Sequence, residues 1–368
     1  MISMEPFTTI NVMKRSVFSL LASFFLVAGA SAQLKYVDAT ELGLVNKLCP
    51  TENRYHRVDT DKYDLTKNEA NLLRMPAGMA LVFRTNSSRI GVRTDFLDYN
   101  VTRSSTTAVS QTGYDLYIRR DGEWLYAGSN APKDAHAEQM LIRNMDDSEK
   151  ECLLYLPLFC ELKRIEIGID EGAMIEALPN PFRHRIVIFG SSFTQGTSTG
   201  RPGMSYPMIM QRSTGLQYIN LGVAGNSKLQ QSFARIIGDN DCDAIIVDAF
   251  SNPGPEMIRE RFLPFVAAIR KAHPRVPVIF LQTIYRERAN FDLQERTREE
   301  EKRRAAREVF DAAAKIYDGI YFVDEPNLTG TDHITSLDGT HPDDLGYWRW
   351  ANAIRPRIVK ILRKHGIR

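Results

Sequence analysis

An apolar run, Ile186-Val187-Ile188-Phe189, ends at Gly190 and is followed by Ser191-Ser192-Phe193-Thr194-Gln195-Gly196. This pattern predicts a buried parallel strand that stops at a tight turn into a helix. Such a turn sets one side chain over the carboxyl end of the strand, where open α/β sheets bind ligands. Here that side chain is Ser192. A serine hydroxyl is a weak nucleophile, so acyl transfer needs a base within hydrogen-bond reach and donors for the tetrahedral oxyanion. Asp338-Gly339-Thr340-His341 offers the base. Asp338 and His341, three apart on a loop, can both point towards one serine, the carboxylate fixing the imidazole tautomer and stabilising the imidazolium. Asn220-Leu221-Gly222-Val223-Ala224-Gly225-Asn226 and Phe250-Ser251-Asn252-Pro253 offer the donors. The Gly225 N–H can approach a ligand closely, and the Asn252 amide and the Ser192 N–H can complete an oxyanion hole. Singly, each residue has a plain alternative: a surface histidine, a turn-forming glycine, a turn asparagine.

The elements around these residues decide between the readings. Predicted strands at Arg185–Phe189, Gln217–Leu221, Ala244–Ala249, Val276–Gln282 and Gly319–Val323 alternate with helices. The helices are expected near Tyr206–Ser213, Ser227–Ile237, Glu256–Ala272, Glu299–Ile316 and Leu345–Lys364. Alternation of this kind predicts a parallel sheet with helices on both faces. The serine, glycine and asparagine segments and the Asp-x-x-His each follow a predicted strand, so all lie at one edge of that sheet. Upstream, from about Tyr36 to Ile175, the chain reads as short strands with turns between them, which suggests an all-β sandwich or jelly roll. Leu116–Arg119 and Trp124–Tyr126 flank Asp121-Gly122, a hairpin signal. Pro179-Asn180-Pro181 reads as a linker. The expected organisation is therefore 1–32, 33–178 for the β-sandwich and 179–368 for the α/β part.

The four blocks resemble those of the SGNH (GDSL-type) hydrolases. Ser192 sits in the first block, Gly225 in the second, Asn252 in the third, and Asp338 with His341 in the last. The resemblance covers about Arg183 to the C-terminus. It implies a flavodoxin-like three-layer α/β/α fold, a Ser192–His341–Asp338 triad and an oxyanion hole of Ser192, Gly225 and Asn252. There are departures. Ser191 stands where the Gly-Asp-Ser motif has aspartate, and Pro253 follows Asn252 where the family has Asn-Asp. Gly113-Tyr114-Asp115-Leu116-Tyr117 is similar to the Gly-x-Asp-Leu-Tyr motif of a β-sandwich domain that precedes some bacterial SGNH esterases. That combination implies hydrolysis of short acyl esters, often acetyl esters, on carbohydrates. No metal or organic cofactor is called for.

The 368 residues suggest two domains, and 43% hydrophobic with 25% charged residues is ordinary for a globular protein. A net charge of +2 argues against nucleic acid or an anionic membrane as the main partner. Lys14-Arg15, the apolar stretch Val17–Ala28 and Ala30-Ser31-Ala32 form the three-part pattern of a secretory signal peptide, with export to the periplasm or beyond and no stable membrane insertion after cleavage. Four cysteines, Cys49, Cys152, Cys160 and Cys242, allow three disulfide connectivities, and Cys152–Cys160 is one open pairing. The charged run Glu295 to Arg307 reads as a solvated helix face. Trp124 and Tyr126 read as hairpin or core pairs, with sugar stacking as the alternative. Tyr285, Arg286 and Arg288 follow the fourth strand and read equally as pocket or solvent residues. Two rival activities remain: a lipase, lysophospholipase or thioesterase with a long acyl channel, and a glycan-binding protein with an inactive hydrolase fold.

Overall fold

The structure is a computed structural model, and it describes residues 33–325 and 327–368. The signal peptide expected over residues 1–32 lies outside the described residues.

The upstream half carries ten strands: β1 Lys35–Asp38, β2 Gly43–Val45, β3 Ala80–Thr85, β4 Ile90–Asp98, β5 Tyr114–Arg120, β6 Glu123–Asn130, β7 Gln139–Ile142, β8 Lys150–Tyr155, β9 Glu161–Ile169 and β10 Ile175–Ala177. They build two antiparallel sheets, one ordered β1-β9-β4-β7, the other β10-β3-β8-β5-β6 with β2 also on β3. The turn between β5 and β6 holds Asp121 at φ 52° and Gly122 at φ 83°, the left-handed pair that a two-residue type I′ hairpin requires. Period-two alternation explains how the second sheet is used. Leu81, Phe83, Leu116 and Leu154 point into the sandwich core. Val82, Tyr117, Leu153 and Tyr155 point the other way, into a core shared with the downstream half. The central strands β3 and β8 and the first half of β5 are therefore buried on both faces.

The downstream half is an α/β layer structure. Its strands are β11 Arg183–Gly190, β12 Leu216–Gly222, β13 Ala244–Asp248, β14 Val278–Leu281 and β15 Ile320–Val323. They pair in parallel in the order β12-β11-β13-β14-β15. Numbered from β11, this is the 2-1-3-4-5 order of the flavodoxin-like fold, with its switch point beside the first strand. The helices are α1 Lys67–Arg74 and α2 Ala108–Thr112 upstream, then α3 Ser192–Gln195, α4 Tyr206–Thr214, α5 Gln231–Gly238, α6 Pro255–Ala272, α7 Leu293–Ala313 and α8 Asp344–Lys364. Residues of α4 and α8 share one core with Ile186 and Ile188, while α5, α6 and α7 pack against Val187 and Phe189 on the other face. Gln33–Arg368 forms one compact unit.

Three expectations change. Helix α5 starts four residues later than Ser227, because Ala224 to Lys228 forms a loop held by hydrogen bonds to Gln195, Asn252 and Gln230. Helix α7 starts at Leu293, where Asp292 caps the N–H groups of Gln294 and Glu295. Its charged run is not wholly solvated: Glu299 and Lys302 are buried. All four cysteines are free thiols, with Cys152 and Cys160 buried in the sandwich core. No helix among the described residues is long and apolar enough to cross a membrane.

Candidate active site

Nothing larger than glycine fits at Gly190, where β11 ends. A Cβ on Gly190 would lie 1.9 Å from Thr194 Oγ1 and 3.1 Å from Asp248 Cβ. Ser191 caps α3, its hydroxyl accepting from the Phe193 N–H, and Gly196 closes the helix in the left-handed region at φ 105°. Between these caps Ser192 stands at the first helical position, so its own N–H is not used inside the helix.

His341 Nε2 lies 2.8 Å from Ser192 Oγ, and His341 Nδ1 lies 2.8 Å from Asp338 Oδ2. The Asp338 carboxylate also accepts from the backbone N–H groups of Thr340 (2.9 Å) and His341 (2.7 Å). One loop thus orients both partners. Burial alone would raise the Asp338 pKa, but the His341 and Thr340 N–H groups and the imidazole outweigh it and hold the carboxyl below its ordinary value. Burial, aided by the charges of Arg286 and Arg103, outweighs the attraction of Asp338 and lowers the His341 pKa below 6.5. The imidazole packs edge-on against Phe193, with ring centroids 5.5 Å apart.

The predicted oxyanion donors come to the same place. Gly225 sits at φ 74°, beyond β12, in a turn closed by the Asn226 N–H to Val223 carbonyl bond. The Ala224 N–H donates to Gln195 Oε1, and the Gln195 amide in turn donates to Leu158 O of the sandwich half. The Asn252 Oδ1 accepts from the Ser227 N–H at 3.1 Å, which leaves its Nδ2 as the free donor. Pro253 is buried and leads into α6, and Asn252 keeps its place beside the cavity. Among the described residues no protein acceptor takes the N–H of Ser192 or Gly225. A cavity of about 350 Å³ is lined by Ser192, His341, Gly225, Asn252, Arg103 and Arg286, together with Phe193, Thr197 and neighbours. Three larger clefts among the described residues, of about 990, 1180 and 710 Å³, are lined by other residues and hold none of this chemistry.

The supports of these groups carry no motif of their own in the sequence. Arg57 is buried, and its guanidinium donates to the carbonyls of Asn220 and Gly222 at 2.9 Å each, and to Leu72 and Met75. It ties the end of β12 to α1. Below Asn252, the Ser251 carbonyl accepts from Lys302 Nζ and from Arg286 Nη2, each at 2.9 Å. Arg286 also pairs with Glu295 and Glu299, and Glu299 pairs with Lys302. Arg288 donates to Asp338 O and to Gly339 O, bracing the histidine loop, whereas the Tyr285 hydroxyl goes to Asn290. Trp124 packs near Phe182, and Tyr126 is half exposed under Arg201, so neither lines the cavity. The Gly-x-Asp-Leu-Tyr segment serves as a joint. Asp115 is fully buried and takes both Arg201 Nη1 and the Gly203 N–H of the downstream half.

Comparison with known proteins identifies the family and the fold. Residues 183–359 match the family described as GDSL-like lipase/acylhydrolase, and residues 34–175 match the N-terminal domain of SGNH-hydrolase-type esterases. The chain is 42% identical to a GDSL-like lipase of Bacteroides ovatus, with TM-score 0.87, 90% of this chain and 98% of that one covered. It is also similar in fold to the salicylyl-acyltransferase SsfX3 of a tetracycline biosynthetic pathway, at 20% identity and TM-score 0.71 over 89% of this chain and 97% of that one. A family two carbohydrate esterase of Cellvibrio japonicus shares the fold at 12% identity and TM-score 0.58, with 89% and 98% covered. A search of curated proteins gives no match. The chain belongs to the GDSL-like lipase/acylhydrolase family, with the N-terminal domain of SGNH-type esterases preceding its hydrolase fold.

Proposed function

We propose that this protein hydrolyses short-chain acyl esters, acetyl esters above all, on carbohydrates, through an acyl-enzyme on Ser192. The observation that carries the reading is the unbroken chain Ser192 Oγ to His341 Nε2 and His341 Nδ1 to Asp338 Oδ2, each 2.8 Å, beside three unused donors. His341 takes the hydroxyl proton as Ser192 Oγ bonds to the ester carbon. The Ser192 and Gly225 N–H groups and Asn252 Nδ2 receive the oxyanion. As the tetrahedral intermediate collapses, the ester C–O bond breaks and His341 gives its proton to the leaving alcohol. Water then repeats the sequence on the acyl-enzyme and frees the acid.

The cavity supports a short acyl group. A volume of about 350 Å³ with arginine, threonine and asparagine in its wall suits a small acyl group and a polar alcohol rather than a long chain. The carbohydrate reading draws on the fold shared with the Cellvibrio japonicus carbohydrate esterase and on the paired N-terminal domain. Export through the leader-like segment at 14–32 would bring the enzyme to such a substrate. The test is acetate release from acetylated sugars, with octanoyl esters in parallel. Ser192→Ala should lose about ten-thousand-fold or more in turnover, and octanoyl esters should be poor substrates. Near-normal turnover by Ser192→Ala, or a preference for octanoyl, would sink the proposal.

A further inference from the structure

The ionisable side chains that line the cavity beside Ser192 are His341 and two arginines, and among the described residues no carboxylate lines it. The two arginines differ. Arg286 is matched by Glu295 and Glu299 and donates to the Ser251 carbonyl, so its charge and its donors are already used. Arg103 has no such partners. Its guanidinium lies over the Phe159 ring, 4.0 Å from the centroid, and among the described residues it pairs with no carboxylate and donates to no acceptor. Burial without a counter-charge lowers its pKa. A half-buried cation without an anion is costly to keep in one place.

The fold nevertheless keeps it there firmly. Arg103 belongs to the loop between β4 and α2, in the sandwich half. Buried Gln111 clamps that loop, accepting from the Arg103 N–H at 3.0 Å and donating to the carbonyls of Arg103 and Thr106. The loop is then stitched to the segment that follows the serine helix: Thr106 Oγ1 accepts from the Ser198 N–H and Thr107 Oγ1 donates to Gly200 O. Phe159, under the guanidinium, is buried and fixed by its own N–H to the Gln111 carbonyl. The donor fork is thus preset at the rim of the cavity, with stacking on one side and its N–H groups unspent. A planar fork of this kind matches a carboxylate.

We propose that Arg103 is the specificity residue of this site and binds a carboxylate on the ester substrate, so that the preferred substrate is an acylated uronic-acid-containing carbohydrate rather than a neutral one. This rests on the esterase reading above. It gives the sandwich half a part in substrate choice, since the fork comes from outside the hydrolase fold. A substrate carboxylate would supply the counter-charge that the protein withholds.

The experiment compares kcat/KM for acetate release from an acetylated methyl glucuronide and from the matching acetylated methyl glucoside. A monoacid ester of succinic acid serves as a further arm, placing the carboxylate on the acyl half. Wild type should prefer an acidic ester by about 10- to 100-fold at low salt, the range of a charge-assisted contact. The preference should shrink with added salt, collapse towards unity in Arg103→Met, and survive in part in Arg103→Lys. Preference for the acetylated glucuronide supports the proposal, and a preference confined to the succinyl monoester would overturn it. Equal rates on acidic and neutral esters by wild type would overturn the proposal. So would an Arg103→Met variant whose acidic-to-neutral ratio stays as in wild type. If Arg103→Met fails to fold in a thermal melt, the Arg103→Lys ratio and the wild-type salt dependence decide. Failure of the esterase reading looks different: wild type would then turn over neither sugar ester nor 4-nitrophenyl acetate above Ser192→Ala.

Discussion

At the scale of single residues the central group is the imidazole of His341. As a base it must be unprotonated, and burial plus the nearby Arg286 and Arg103 charges lower its pKa despite Asp338. The sign is direct: a lowered pKa leaves the base neutral at lower pH. The kcat/KM profile for 4-nitrophenyl acetate should therefore rise from acid to a plateau with a midpoint below 6.5. Arg103→Met removes a positive charge and should move that midpoint upward. A wild-type midpoint above 6.5 would show that Asp338, not burial, governs the site. The oxyanion side is tested by Asn252→Ala, expected to reduce kcat by about a hundredfold. Ser192, Gly225, Asn252, Asp338 and His341 were legible because each occupies a short local motif after a strand. Arg103 was not, because what singles it out is the lack of a partner in space, and no spacing in the chain encodes that.

At the scale of elements the site is a set of strand ends, each with its own brace. The β12 end rests on Arg57, the histidine loop on Arg288, and the Asn252 loop on the Lys302–Ser251 bond from α7. Lys302 is 1% exposed, so its removal leaves the Ser251 carbonyl and Glu299 each short of a partner. Lys302→Met should cost about 2–4 kcal/mol of stability by thermal melt. It should also lower kcat more than it raises KM, since what moves is an oxyanion donor rather than a binding wall. Unchanged kcat with lowered stability would mean that the brace serves folding alone. The strand and helix alternation of the downstream half could be read from hydrophobic runs. The buried pair on α7 could not, because Glu299 and Lys302 look like any solvated i,i+3 pair until Arg286 and Ser251 arrive from elsewhere in the chain.

At the scale of the whole molecule the two halves share a core. Val82, Tyr117, Leu153 and Tyr155 of the sandwich pack with Ile186, Phe193, Tyr206 and Met208, and the ion pair of buried Asp115 with Arg201 crosses the same junction. Burying one such side chain is worth about 1.5–3 kcal/mol, so neither half should be stable without the other. Calorimetry of the chain from Gln33 onward should show one cooperative unfolding transition, and residues 179–368 alone should not fold. Two well-separated transitions would contradict the shared core. The apolar strands β3, β5 and β8 were visible in the sequence as short strands of a sandwich, but an apolar run does not say what covers its second face. Its use as a docking surface emerges only once the α/β half is placed against it. The claim on which the rest depends is the acyl-enzyme. It is tested most directly by acid-quenching the protein during steady turnover of 4-nitrophenyl acetate and mapping the modified peptide by mass spectrometry. The account predicts one acetyl group on Ser192, absent in Ser192→Ala. Sustained turnover with Ser192 unmodified and another residue acetylated would contradict it.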